Sequence, residues 1–336
     1  MSRLGHRLGR HRVNLTVAVV ALGTAFLGGA VVRHATPPSR PFATGAPAAA
    51  GYFPTLPAGS WRLLPGDHTC SRRVHRSAWE PRPDNFRPNH RMPPERLVRA
   101  AFHERPRAVH EAYDRRWDDW LLPRVTGHAT GTTDEIIQWA ACKWGISDNL
   151  LRAIAVRESG WYQHEVYDDG TCVVQNGCGD VFPHATAATR RFCAVTDRSG
   201  RRNRPLYPPG RCPKTFSIVG VMSWQDTAWG RMPDNQNGTF PFNRDSTAFA
   251  LDYLGAFLRG CDEGWMSWLG NTGHYRKNNL RGCVGVWYAG EWSGPTARTY
   301  VGRVWSTARE RPWLSPRWVH AELPCSPQRG CPRAPS

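Results

Sequence analysis

The clearest hydrophobic periodicity lies between residues 132 and 160. The sequence from Thr132 to Glu135 has the form of a capping box and starts a predicted helix that ends at Gly145. A second helix is predicted from Ser147 or Asp148 to Ser159, with Gly160 as its stop. The apolar stripe of the first helix consists of Ile136, Ile137, Ala140, Ala141 and Trp144.

Three further helices are predicted from the same period. One covers Ile218 to Trp229, one is capped by Ser246, and the last runs from Pro295 to Arg309 with an apolar stripe that includes Tyr300. No comparable alternating strand pattern appears. The sequence therefore predicts a mostly α fold for the core.

Glu158 occupies the apolar stripe of the second predicted helix, seven residues after Leu151 and four after Ile154. Burial disfavours ionisation and raises the pKa of a carboxyl, as a general acid near neutral pH requires. The alternative interpretation is that Glu158 forms an ion pair with Arg157 or Arg152 at the helix end.

The N-terminal residues 1–34 have the pattern of an export segment. Four arginines among the first twelve residues precede an apolar run from Val13 to Val32, which fits either a signal peptide or a membrane anchor. Everything after about residue 35 is then expected outside the cytoplasmic membrane, secreted or at the cell surface, with the membrane contacted only through this segment.

Composition divides the rest of the chain into four parts. Residues 35–60 are expected to be a Pro/Ala/Gly linker, and residues 61–128 an Arg/Pro-rich helical or wrapping extension. The main domain is expected at 129–313. Residues 314–336 are expected to form a tail that a disulfide holds.

The formal charge of +17 comes almost entirely from arginine, since the chain has only three lysines. Such a surface favours anionic polymers, including anionic wall polymers; the alternative is that the charge merely solvates the surface. Nucleic acid is disfavoured as a partner by the export segment, by the cysteines and by the lack of a nucleic-acid motif.

All ten cysteines lie between Cys70 and Cys331, after the export segment. An even number in this position favours disulfides over zinc, because no Cys-x-x-Cys or His-Glu-x-x-His pattern occurs. We expect no metal and no cofactor. Cys261 and Cys283 are predicted to pair, because they bracket a Gly/Asn-rich loop between a helix and the block at 286–290.

Three short blocks in order carry a resemblance to a known family. Residues 157–161 (Arg-Glu-Ser-Gly-Trp) resemble the Glu-Ser motif of the lytic transglycosylase and goose-type lysozyme superfamily. Residues 217–223 with 225–228 resemble its Gly-Leu-Met-Gln and Thr-Ala blocks, and residues 286–290 its Ala-Tyr-Asn-Ala-Gly block. The resemblance covers roughly residues 132–312 and is greatest to a secreted actinobacterial branch.

The resemblance implies a lysozyme-like helical domain that cleaves the glycan strands of peptidoglycan. Glu158 would protonate the bond between N-acetylmuramic acid and N-acetylglucosamine and then, as a carboxylate, take the proton of the muramic C6 hydroxyl, so that a 1,6-anhydro sugar forms. The motif positions implied to contact substrate are Ser159, Met222, Ser223, Gln225, Trp287 and Tyr288.

Two other functions are alternatives, one from departures from the family pattern and one from nearby aspartates. Ser223 stands where Gln is usual, Trp287 where Tyr is usual and Tyr288 where Asn is usual, which keeps a noncatalytic peptidoglycan-binding protein as an alternative. A hydrolytic muramidase is the other, since the loop after Glu158 offers aspartates that could activate water. These are Asp168, Asp169 and Asp180.

Overall fold

The computed structural model describes residues 47–163, 215–222, 237–272 and 274–318, and within them the fold is mostly helical. Residues 47–128 contain only short helices, whereas the longest helices follow after residue 132. The α-helices are α1 (Asp67–Arg73), α2 (Phe86–Asn89), α3 (Glu95–His103), α4 (Arg107–His110), α5 (Thr133–Trp144), α6 (Asp148–Ser159), α7 (Phe242–Asp245), α8 (Thr247–Asp262), α9 (Leu280–Ala289) and α10 (Pro295–Glu310). Short 3-10 or π turns lie at Ser60–Leu63, Pro83–Asn85, Trp117–Leu121, Leu122–Arg124, Ser267–Thr272, Pro312–Leu314 and Pro316–Trp318.

Four of the five predicted helices are confirmed. The capping box at Thr132 forms as predicted, and α5 ends at Gly145 with a left-handed φ of 57°. Helix α6 ends at Gly160, and the Ser246 hydroxyl accepts a hydrogen bond from a backbone N–H in the first turn of α8. Local signals suffice for these helices because caps and stop glycines act within one turn.

The helix predicted from Ile218 is wrong over the residues that the structure describes there. Residues 215–222 form an antiparallel hairpin of β1 (Thr215–Phe216) and β2 (Val221–Met222). Ser217 and Gly220 both take positive φ values, 92° and 64°, which a helix cannot accommodate. The run of apolar residues reflects complete burial of the turn rather than helical amphipathicity. Residues after Met222 in this prediction lie outside the described part of the chain.

Helices α5 and α8 form the centre of the core and are buried on all sides. They pack closely because Gly255 lacks a side chain: a Cβ there would lie 2.2 Å from the Trp144 ring. Charged side chains are buried between the two helices. Asp252 accepts hydrogen bonds from Lys143 Nζ at 2.8 Å and from the indole N–H of Trp144 at 2.7 Å.

Residues 61–128, expected as an extension, belong to the same hydrophobic core as α5 and α8. Trp117 and Leu121 are completely buried, and they lie against Gly260 of α8. The disulfide Cys70–Cys142 joins α1 covalently to α5. The short helices of this region therefore cover one side of the long ones.

The described part of the expected linker, residues 47–60, is held by buried charges. Asp148, at the start of α6, accepts the backbone N–H groups of Tyr52 and Phe53. Buried Arg259 donates to the carbonyls of Leu56 and Pro57. This stretch is extended, but its polar backbone is satisfied by charged side chains of the core.

The predicted Cys261–Cys283 disulfide is confirmed and joins α8 to α9. The other six cysteines lie outside the described residues, as do the N-terminal segment 1–34 and most of the tail. Within the described ranges, no helix is both long and apolar enough to cross a membrane.

Candidate functional site

Glu158 is half-buried in the last turn of α6, where the helix ends sharply. Gly160 and Trp161 have left-handed φ values of 62° and 72°, so the chain reverses directly after the carboxylate. The Trp161 indole N–H donates to the carbonyl of Arg152 at 3.0 Å and fixes this reversal. The helix therefore ends in a hydrogen-bonded reversal, and Glu158 lies in its last turn.

The geometry does not favour an ion pair between Glu158 and either Arg152 or Arg157. The guanidinium of Arg152 is completely buried and pairs with Asp134 and Asp148 at 2.7 and 2.6 Å. The Arg157 side chain is exposed. Glu158 instead accepts a hydrogen bond at Oε1 from the hydroxyl of Tyr300 on α10.

Tyr300 is buried behind Glu158, and its environment keeps it protonated. Burial, followed by the neighbouring Glu158 carboxylate, raises the pKa of Tyr300 well above its usual value. Its hydroxyl thus remains a donor throughout the pH range in which the protein would act. Donation to Oε1 fixes the plane of the carboxyl group and leaves Oε2 on the opposite side.

The Ser217–Gly220 turn of the hairpin faces that second oxygen. Gly220 has a left-handed φ of 64°, which favours glycine, and a Cβ added there would lie 2.8 Å from Glu158 Oε2. The Ser159 hydroxyl donates to the Ile218 carbonyl at 2.9 Å, and the Trp287 indole N–H donates to the Val219 carbonyl at 2.9 Å. Hydrogen bonds from α6 and from α9 therefore hold the turn in place.

A buried amide network holds the base of the hairpin. Gln163 accepts from the Ile218 N–H at 3.2 Å and donates to the Asn243 carbonyl at 2.7 Å. Asn243 donates in turn to the Val221 carbonyl at 2.9 Å. Because buried amides that satisfy one another accept few alternative arrangements, this network gives the turn a single position relative to Glu158.

The predicted substrate contacts have different environments. Tyr288 is 55% exposed and stacks on Tyr300 with ring centroids 4.3 Å apart, so its outer face is open. Ser159 is buried and Trp287 half-buried, and both use their donors on the hairpin backbone. The carbonyl of Met222 accepts from Asn237 and Thr239. Ser223, Gln225 and the aspartates at 168, 169 and 180 lie outside the described residues.

Sequence reasoning missed two residues that touch the carboxyl group. Tyr300 belongs to the apolar stripe of the last predicted helix, and it is the stripe member that carries a hydroxyl and therefore needs a buried partner. Gly220 lay within a block interpreted as helical. A glycine inside an otherwise apolar run is a signal of close approach by another group.

The chain matches no known protein family, no curated protein and no solved structure. Among the residues that the structure describes, no group of His, Cys, Asp or Glu has the arrangement of a metal site. Within the described part of the chain, the arrangement around Glu158 is chemically that of one carboxyl group that accepts a hydrogen bond from a tyrosine, beside an exposed aromatic ring. Such a group can donate and accept a proton at one place.

Proposed function

We propose that this protein is an exported lytic transglycosylase that cleaves peptidoglycan glycan strands with Glu158 as its acid and base. The observation that carries the proposal is the position of the Glu158 carboxyl, held between the Tyr300 hydroxyl and the Gly220 turn. The order of the Glu-Ser, Gly-Val-Met and Trp-Tyr-Ala-Gly blocks supports the same assignment.

The chemistry requires one carboxyl group at two successive stages. Protonated Glu158 gives its proton to the glycosidic oxygen as the bond from C1 of N-acetylmuramic acid breaks. The resulting carboxylate then takes the proton of the C6 hydroxyl as O6 bonds to C1, which restores the acid and closes the 1,6-anhydro ring. Tyr300 supports both stages, because its hydroxyl can donate to Oε1 whichever state Oε2 is in.

Tyr288 is consistent with the proposed glycan substrate, and the disulfides are consistent with the proposed location outside the cytoplasm. The exposed face of Tyr288 offers an aromatic surface against which the C–H face of a sugar ring can stack. The two disulfides, Cys70–Cys142 and Cys261–Cys283, are typical of a protein that folds in an oxidising compartment. Both features fit a protein that works on the cell wall.

The substitution Glu158→Gln tests this function. Glutamine keeps the shape of the side chain and can accept the Tyr300 hydrogen bond, but it cannot deliver a proton. General acid catalysis typically contributes a factor of about 10² to 10⁴, so we expect glycan cleavage to fall by about that factor in a turbidity or product-mass assay. Thermal unfolding should change little, because Glu158 is only half-buried.

The products of the unmodified protein separate the related functions. An anhydro end is lighter by one water than the reducing end that a hydrolytic muramidase releases, so mass spectrometry of purified strands distinguishes the two reactions. A well-folded Gln variant that still cleaves would contradict the role of Glu158. Binding of peptidoglycan without any cleavage would instead support the noncatalytic alternative.

A further inference from the structure

A shallow depression of about 300 Å³ lies on α10 next to Glu158. Tyr300 belongs to both places, since its ring lines the depression and its hydroxyl donates to the carboxyl group. The depression is therefore continuous with the candidate site through Tyr300. Its lining residues are Tyr288, Pro295, Thr296, Thr299, Tyr300 and Arg303.

Four of these residues share one face of α10. Thr296, Thr299, Tyr300 and Arg303 follow the i, i+3, i+4, i+7 spacing that places side chains on one stripe of a helix. The stripe presents two hydroxyls, then the tyrosine, then a guanidinium, while Tyr288 forms an aromatic wall. Among the described residues, the lining thus combines one cation with neutral hydrogen-bonding groups and contains no acidic side chain.

The guanidinium of Arg303 is exposed and takes part in no ion pair within the described ranges. Many other arginines of the described chain are engaged by acids, including Arg76, Arg105, Arg152 and Arg259. Arg157, also exposed, lies close enough to lower the pKa of Tyr300 electrostatically. Arg303 and Arg157 therefore place positive charge beside Tyr300, and among the described residues no acidic side chain pairs with the Arg303 guanidinium.

We propose that this depression binds a carboxylate carried by the saccharide next to the cleaved bond, with Arg303 as the specificity-determining residue. This inference rests on the proposed function. The planar guanidinium can bind a carboxylate through two parallel hydrogen bonds, and the threonine hydroxyls can donate further hydrogen bonds to the same carboxylate. In peptidoglycan, carboxylates occur on the peptide attached to N-acetylmuramic acid, so the protein would prefer peptide-substituted strands with free carboxylates over neutral ones.

The experiment compares two forms of the same glycan strands. One form keeps its peptide carboxylates, and in the other they are converted to methylamides. We expect the unmodified protein to show a KM about 5- to 10-fold lower for the carboxylate form, as one exposed charge-assisted contact would give. Arg303→Ala should abolish this preference by raising the KM for the carboxylate form only, and Arg303→Lys should retain part of it.

Arg309→Ala is the matched control. Arg309 is an exposed arginine of the same helix that does not line the depression, so its loss removes the same charge without the contact. It should leave the preference intact. Equal turnover of both strand forms by the unmodified protein, or an equal loss on both forms in Arg303→Ala, would overturn the inference while leaving the proposed function standing.

Binding to the Glu158→Gln variant makes the test independent of cleavage. Cosedimentation of this variant with the two strand forms should show the same 5- to 10-fold preference, and adding Arg303→Ala should remove it. If the unmodified protein cleaves neither form, the proposed function fails, and the binding comparison still decides whether Arg303 selects carboxylates. Equal binding of both forms would then overturn the inference as well.

Discussion

Residues 47–128 and the long helices after residue 132 share one core but are held in different ways. The long helices pack through apolar faces and are bounded by local caps and glycines. The N-terminal region is attached through a disulfide, buried aromatic rings and charged side chains that bind its backbone. An amphipathic pattern thus predicts the first kind of structure, while the second depends on partners far away in the sequence.

The N-terminal region also contacts the candidate site. Arg82, buried in the N-terminal region, donates to the carbonyl of Gly160 at 2.8 Å, directly after the turn that carries Glu158. The same guanidinium stacks against Tyr162 and Trp318. The N-terminal region therefore supports the end of α6 as well as covering the core.

Removal of the disulfide between the two regions should have the largest effect on stability. Cys70–Cys142 closes a loop of 72 residues and Cys261–Cys283 one of 22. On chain-entropy grounds, we expect Cys70→Ala with Cys142→Ala to lower the free energy of unfolding by about 4 kcal/mol, and the Cys261/Cys283 pair by about 3 kcal/mol. Denaturant titration of both double variants measures the difference.

A single unfolding transition that shifts as a whole is expected for the Cys70/Cys142 variant. Separate loss of the N-terminal region, with α5 and α8 still folded, would show that this region is not part of one cooperative unit. The two regions would then be separate folding units rather than parts of one unit that are attached in different ways.

Tyr300→Phe should reduce activity without a comparable loss of stability. The phenylalanine ring can keep the stack on Tyr288, but Glu158 loses its orienting donor. A hydrogen bond to a charged group is worth about 1.5 kcal/mol or more, so kcat should fall about 10-fold. Steady-state kinetics on solubilised glycan strands measures the change.

Tyr275→Phe gives the opposite pattern and serves as the control. Its hydroxyl donates to the Cys261 carbonyl at 2.8 Å and accepts from the Met266 N–H at 3.0 Å, and neither hydrogen bond involves Glu158. We expect lower thermal stability and unchanged kcat per folded molecule. A loss of kcat in this variant as large as that of Tyr300→Phe would argue that the effect is structural.

The smallest effect concerns Glu80, which joins the N-terminal region to the start of α5. Its Oε2 accepts the Thr133 N–H at 2.7 Å, and burial raises its pKa from 4.5 to about 7. The folded state therefore favours the protonated form, whose contribution to stability is complete below pH 4.5 and is lost as pH rises to about 7.

Glu80→Gln stays neutral at every pH and should remove this dependence. Relative to the variant, the wild-type free energy of unfolding should fall by about 1 kcal/mol between these two pH values. This is less than the full pKa difference would give, because Glu80 is partly exposed and solvent screens its charge. Denaturant titrations at pH 4.5, 6 and 7.5 test it, with Glu104→Gln, an exposed carboxylate, as the control. Parallel pH profiles for wild type and Glu80→Gln would contradict the assignment.

The helices and the Cys261–Cys283 pair could be predicted because their signals are local or span one short loop. Thr132, Gly145, Gly160 and Ser246 act within one helical turn, so their effect does not depend on the rest of the fold. The hairpin at 215–222 could not be distinguished from a helix, because complete burial of Ile218, Val219 and Val221 erases the polar positions that would reveal a period.

By itself, the sequence determined the mostly helical core, the ends of α5 and α6, and the place of Glu158 in the last turn of α6. Only the tertiary structure decided what faces that carboxyl group: Tyr300 from 142 residues away, and the Gly220 turn held by Ser159 and Trp287. The physical reason is the separation along the chain over which each kind of interaction acts. Caps and helical stripes act over one or two turns, whereas the partners of a half-buried carboxylate are selected by the packing of helices that meet only in the folded chain.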